Sequence, residues 1–203
     1  MKHIYLSPHA DDVALSCGGR ILMDPGHRTD SLVLTVFTSQ RSYTDHPRRR
    51  QSARFADAIS PERDGEDQSA WRSIGVEWRN LGLPEALLRG SFPFKRRRSA
   101  QDRDVEDQLY ERVVELASSY PEATFYFPAG VGGHIDHLIC RDVACRLLHE
   151  AVTSPVLYED APYWWLKPLR SRFYEGVRTK LLSNEQEGPA HSNGLGLIQY
   201  LFR

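Results

Sequence analysis

The stretch IYLSPHADDVALSCGG, Ile4 to Gly19, decides the fold. Its first residues are an apolar run of strand character. The run breaks at Pro8 and presents one imidazole and two adjacent carboxylates, His9, Asp11 and Asp12. A helical pattern follows, in which Val13, Ala14, Cys17, Ile21 and Leu22 recur at three- and four-residue steps behind two acidic residues suited to a helix start. SLVLTVFTS, from Ser31, reads as the next strand. Strand, helix, strand is the unit of a parallel sheet, because a crossover helix returns the chain to the same edge.

The pattern repeats down the chain. Leu109, Val113, Leu116 and Ala117 share a face in the amphipathic segment from Asp104 to Ser119, and ATFYFPA follows as a strand. HLICRDVACRLLHEAV reads as another helix and SPVLYED as another strand. Alternation of this kind predicts an α/β, Rossmann-like layered fold with a mostly parallel sheet and helices on both faces. Ligands in such sheets collect beyond the carboxyl ends of the strands. His9 to Asp12 lies at one such end and GVGGHIDH, Gly130 to His137, at another, so the two clusters are expected to share one crevice.

At 203 residues the chain suits one core, and a single domain over residues 1–203 is expected. Its 26 basic and 27 acidic residues nearly cancel, which gives no general pull toward nucleic acid or an anionic membrane. Cys17, Cys140 and Cys145 are odd in number and lack C-x-x-C spacing, so a reducing, cytoplasmic setting is expected, with no disulfide framework or thiolate zinc site. The first residues do not have the layout of a secretory signal, and no apolar run is long enough to span a bilayer. Residues from Gln40 to Gly65 and from Arg89 to Asp104 are polar, arginine-rich and aperiodic, and read as rim loops or short helices.

The chemistry concentrates in two motifs. His9 and Asp12 are spaced H-x-x-D; His134 and His137 are spaced H-x-x-H around Asp136. A hydrolytic zinc site takes three imidazole or carboxylate ligands and keeps a fourth position for water. His9, Asp12 and one histidine of the second pair supply that set, leaving Asp11 and the other histidine for proton transfer. The same residue types would also suit the two-histidine, one-carboxylate site of a non-haem iron(II) oxygenase. Such sites usually sit on antiparallel barrels, which the alternation here does not support. A carbohydrate-binding domain without turnover is a third reading, disfavoured because the full set of groups is present. SPHADD lacks the glycine-rich turn of a dinucleotide site.

SPHADDVALSCGG together with PAGVGGHIDH resembles the LmbE-like or PIG-L-like N-acetylglucosaminyl de-N-acetylases, whose hallmarks are a P-H-x-D-D motif after the first strand and a later H-x-D-H. VFTS, RDGEDQSAWRSIGV, LGLPE and VLYEDAPYW match further family segments, so the likeness runs from Ile4 to Trp165. The resemblance implies that His9, Asp12 and His137 hold zinc, or another divalent cation such as Fe2+. It implies Asp11 as general base, His134 as oxyanion partner or general acid, and Asp136 as the group that orients His134. Arg63 and Glu66 match the helix that borders the family's substrate. The implied partner is a small N-acetylated sugar or glycoconjugate, cleaved to acetate and a free amine. Ala10 and Ile135 replace prolines of the family pattern, and Gly132 stands where some members carry a tyrosine that assists the oxyanion.

Among the remaining candidates, Glu159 and Asp160 read as strand-end caps, Tyr163, Trp164 and Trp165 as core, and the basic runs at Pro47 to Gln51 and Lys95 to Ser99 as rim loops. Cys17 is expected to pack as a small apolar residue, and the stretch from Ser183 carries no assignment.

Overall fold

A computed structural model describes residues 1–38, 61–95 and 97–161, with the side chains of 61–64 outside that description. Ten elements follow in order: β1 His3–Ser7, α1 Asp12–Met23, α2 Pro25–Thr29, β2 Ser31–Phe37, α3 Pro61–Ser73, β3 Glu77–Leu83, α4 Ala100–Ser119, β4 Thr124–Pro128, α5 Ile135–His149 and β5 Val156–Tyr158. The strands form one sheet in the order β3-β2-β1-β4-β5, and every pairing among them is parallel. The expected α/β architecture is the observed one.

The two faces of the sheet read directly from strand alternation. Ile4 and Leu6 of β1 and Leu32, Leu34 and Val36 of β2 point to one side. There they pack with Val105, Leu109 and Val113 of α4 and Ile139, Val143 and Leu147 of α5. Tyr5 and Val33 point to the other, against Val13, Cys17 and Ile21 of α1 and Trp71 of α3. All these strand residues are buried, as a sheet covered on both faces requires. On the α1 side Tyr5 stacks on Tyr126 with ring centroids 4.3 Å apart. Such pairs add about 0.5–1.5 kcal/mol beyond the area they bury.

Local signals explain the element ends that matter. Asp24 caps α2, its Oδ1 accepting from the Gly26 and His27 amides, with Pro25 in the first turn. Ser99 and Asp102 form a reciprocal capping box at the start of α4.

Two elements were not anticipated. α2 is a single capped turn with no apolar period of its own. β3 is an edge strand in which Glu77, Arg79, Asn80 and Gly82 are exposed, so it lacks the apolar run of a central strand. The region 40–65 expected as loops and short helices falls mostly outside the described residues, but its last part belongs to α3.

The strand order places β1 in the middle, with the chain running outward to β3 on one side and returning to β4 on the other. That reversal leaves a crevice beyond the carboxyl ends of β1 and β4, where doubly wound sheets bind ligands.

Candidate metal centre and active site

The turn after β1 brings out His9, Asp11 and Asp12; the turn after β4 brings out His134, Asp136 and His137. Ser7 Oγ accepts from the Val13 amide and donates to the His9 carbonyl, which fixes the first turn. The His9 amide donates to Asp12 Oδ2 at 2.9 Å. Asp11 takes φ 94°, left-handed backbone that is uncommon for any residue with a Cβ. Its side chain is exposed and does not cap α1, although it occupies the capping position.

The second turn depends on Gly130, at φ +79° and packed against Leu138. Gly132 follows at φ 94°, so the position held by tyrosine in some members here has a backbone that favours glycine. His134 caps α5, its Nδ1 accepting from the Asp136 amide at 3.3 Å. Asp136 and His137 then point inward from the first turn and are buried.

The two turns converge. Asp12 Oδ2 lies 3.3 Å from His9 Nδ1 and 3.2 Å from His137 Nε2. Ligand atoms about 2.0–2.2 Å from a tetrahedral ion sit roughly 3.3–3.6 Å from one another, so this spacing fits a divalent cation. His9, His134 and His137 also present ring nitrogens within 4.8 Å of one another. Both sets share His9 and His137, and Asp12 Oδ2 stands within 3.3 Å of a nitrogen on each of these two rings.

Each of the two shared imidazoles is held from behind. His9 Nε2 meets Asp136 Oδ2 at 3.0 Å. Asp136 is in turn fixed by the Ala86 amide at 3.1 Å and by Arg89 Nη2 at 2.6 Å. The Arg89 side chain is buried, bridges Asp136 to Asp102 of α4, and lies 5.3 Å from the Phe37 ring centroid. His137 Nδ1 is hydrogen-bonded to Asp160 Oδ1, while Asp160 Oδ2 accepts from the Gly130 and Val131 amides.

Charges follow this layout. Burial alone would lower the His9 pKa, but bonding and charge from Asp12 and Asp136 outweigh it and lift the pKa to about 10. His137, likewise buried between Asp12 and Asp160, is raised well above the ordinary range. Burial would raise the Asp12 carboxyl, yet His137 and His9 hold it far below the usual range. For His134 burial dominates, aided by His9, and its pKa falls to about 3. His134 is therefore neutral. With Nδ1 accepting from the backbone, its proton resides on Nε2, which becomes a donor.

The sequence candidates thus divide. His9, Asp12, His134, Asp136 and His137 come together around one point, and Asp11 sits in the same turn as two of them. The Asp136 carboxylate reaches His9, its Oδ2 standing 3.9 Å from His134 Nδ1, and it is the Asp136 main chain that meets His134. Glu66 is exposed on α3, and among the described residues no hydrogen bond or ion pair joins it to the cluster. The side chain of Arg63, the basic run 47–51, Tyr163, Trp164, Trp165 and the stretch from Ser183 lie outside the described residues. Asp160, expected as a strand-end cap, lies two residues beyond β5, and its side chain grips His137 and the Gly130 and Val131 amides. Arg89, expected in a rim loop, instead has its side chain buried between two acidic partners distant in sequence.

Residues 4–148 match the family described as PIG-L: GlcNAc-PI de-N-acetylase. The chain belongs to this family. A PIG-L relative from Streptomyces fradiae, named 2'-N-acetylparomamine deacetylase, is 36% identical over 164 residues, covering 80% of this chain and 57% of its own length. A protein of the same name from Niallia circulans is 31% identical over 192 residues, covering 79% of this chain and 67% of its own. The chain therefore spans little more than half the length of the first relative. Among solved structures, a teicoplanin deacetylase in its zinc inhibited form aligns with TM-score 0.63 at 23% identity, over 80% of this chain and 69% of that one. A teicoplanin-pathway deacetylase complex aligns with TM-score 0.66 at 21% identity, over 91% and 85%. These structures share the PIG-L fold seen here.

Proposed function

We propose that this chain is a zinc-dependent N-deacetylase that removes the acetyl group from an amino-sugar-containing substrate, releasing acetate and a free amine. One observation carries the reading: Asp12 Oδ2 lies 3.3 and 3.2 Å from the two ring nitrogens that face it, with a second aspartate, Asp11, adjoining. His9, Asp12 and His137 would hold the cation, and iron(II) is the alternative occupant for the same donors. When bound, such a cation polarises an amide carbonyl and lowers the pKa of a coordinated water toward 7.

The residues around it divide the remaining work. Asp11, exposed and left unused as a helix cap, takes the proton of the attacking water. His134, kept neutral by burial, donates its Nε2 hydrogen to the oxyanion that forms at the former carbonyl. A protonated imidazolium is not needed for that. Asp11 then returns its proton to the departing amine. Asp136 serves this scheme by holding His9. A cavity of about 490 Å³ beside the Gly133 turn, walled by Phe94, Leu138, Arg98 and Arg141, offers room for the sugar. The Phe94 ring stands edge-on to His134 at 5.4 Å and is half exposed, a suitable face for the apolar side of a pyranose.

The curated relatives make a 2'-N-acetylated aminoglycoside precursor the first substrate to try. No helix among the described residues is long and apolar enough to cross a membrane, and Cys17, Cys140 and Cys145 form no disulfide, which suits a reducing cytoplasm. Residues 1–203 are read as one domain of this kind. Acetate release from 2'-N-acetylparomamine and from N-acetylglucosamine, with zinc added or chelated, tests the reading. Asp11→Asn should slow release about 10²–10⁴-fold, the usual worth of a general base. Equal release by variant and wild type would overturn the mechanism, and no release by either would overturn the function.

A further inference from the structure

Asp160 stands outside the two sequence motifs, on the far side of His137 from Asp12. It is almost fully buried, and its two oxygens have separate duties. Oδ1 meets His137 Nδ1, and Oδ2 accepts from the Gly130 amide at 2.8 Å and the Val131 amide at 3.0 Å. The backbone around it is fixed from three directions. The Ala129 amide donates to the Tyr158 carbonyl at 2.7 Å, Tyr158 Oη donates to the Leu6 carbonyl at 2.8 Å, and the Ala161 amide donates to Ser16 Oγ at 3.1 Å. The carboxylate is therefore tied to β4, β1 and α1 at once and cannot drift from the imidazole.

We propose that Asp160 is the positioning residue of the centre: by accepting the Nδ1 hydrogen of His137 while clamped by two backbone amides, it fixes the tautomer that turns a bare Nε2 toward the cation. The inference rests on the metal-site reading above and adds a residue to it. An imidazole that carries its proton on Nδ1 has its lone pair on Nε2, and only that nitrogen faces Asp12. His9 is held by a different device, since Asp136 takes its orientation from the Arg89 guanidinium as well as from a backbone amide. Asp160 Oδ2 is anchored instead by the peptide backbone, through the Gly130 and Val131 amides.

This arrangement makes the isosteric amide a sharp probe. In Asp160→Asn one oxygen must serve where two did. Two amide N–H groups converge on the Oδ2 position, so the amide oxygen belongs there, and its NH2 then faces His137 Nδ1. Nδ1 must become the acceptor, and the imidazole proton moves to Nε2, directly in the way of the cation. If Asp160 merely caps the strand end, the same substitution changes nothing, because the asparagine oxygen keeps both backbone bonds.

The experiment is zinc affinity by competition with a chelating dye, on the full chain, for wild type, Asp160→Asn and Asp160→Ala. Nitrogen-15 spectra of the histidine rings are recorded on the zinc-loaded wild type alongside. Asp160→Asn should bind zinc about 10–100-fold more weakly. Asp160→Ala, which leaves Nδ1 able to donate to water, should lose no more than the asparagine variant. In the loaded wild type the His137 ring should carry its hydrogen on Nδ1, a readout that survives even if both variants fail to fold. Wild-type affinity in Asp160→Asn, or a loaded wild type with the His137 hydrogen on Nε2, overturns the proposal and leaves the metal site standing. A wild type that binds no zinc overturns both, and so marks a failure of the site reading itself.

Discussion

Arg89 shows how one residue supports the centre without touching it. Its guanidinium is buried between two carboxylates, Asp136 and Asp102, and also donates to the Pro84 carbonyl at 2.5 Å. Removing one member of such a buried set leaves charges that water cannot reach, which typically costs about 3–5 kcal/mol. Arg89→Met should lose stability of that order in urea unfolding, and zinc should bind more weakly because Asp136 no longer holds His9 in place. A variant with a loss under about 1 kcal/mol and unchanged zinc affinity would show that Asp136 needs no such anchor. The sequence offered Arg89 only as one arginine among many in a polar stretch. The histidines and aspartates of the two motifs were legible because their spacing is chemical and local. Arg89 and Asp160 do their work through partners 47 and 23 residues away, and no spacing rule reaches that far.

At the scale of elements, the turn between β4 and α5 is the joint on which the second motif hangs. A Cβ added to Gly130 would stand 2.9 Å from Leu138 Cδ2, and φ +79° would be strained whatever the space. Left-handed backbone costs a residue with a Cβ about 1–2 kcal/mol, so Gly130→Ala should destabilise by at least that amount in a denaturant titration. The clash itself is relieved by swinging the end of the Leu138 side chain, whose backbone stands 3.7 Å away, so the strained backbone is the main cost and zinc affinity should change little. Stability equal to wild type would mean that the turn has another conformation available. The elements themselves divide by the strength of their period. β1, β2, β4, α1, α4 and α5 bury apolar residues at regular steps, and the sequence announced each of them. β3 sits at an edge, needs hydrogen bonds from β2 more than apolar burial, and so left no alternating trace. α2 is held by the Asp24 cap and by His27, whose Nδ1 pairs with Tyr5 Oη at 2.7 Å. That contact joins residues 22 apart and could not be read locally.

For the molecule as a whole, the sheet order makes the centre a clasp. β1 and β4 are neighbours in space, yet the His9 to Asp136 contact closes a span of 127 residues. A cation held by His9, Asp12 and His137 would bind only the folded chain, and a ligand at 100 times its Kd then adds about 2.7 kcal/mol. The pH dependence of that gain has a definite sign. In the metal-free protein the His9 pKa is raised from 6.5 to about 10, and that of His137 is raised as well. The stability from those protonated pairs is fully present below about 6.5, the unfolded value, and for His9 it is lost as pH rises through about 10. A cation needs the same nitrogens bare, so each proton displaced is a cost that shrinks as pH rises. The difference in thermal midpoint between zinc-loaded and chelator-treated protein should therefore widen from about pH 6 to about pH 8. A difference that stays level or narrows over that range would show that the imidazoles are not the groups that give up protons to the cation. In that case the convergence of the two turns would have to be assigned to something other than metal.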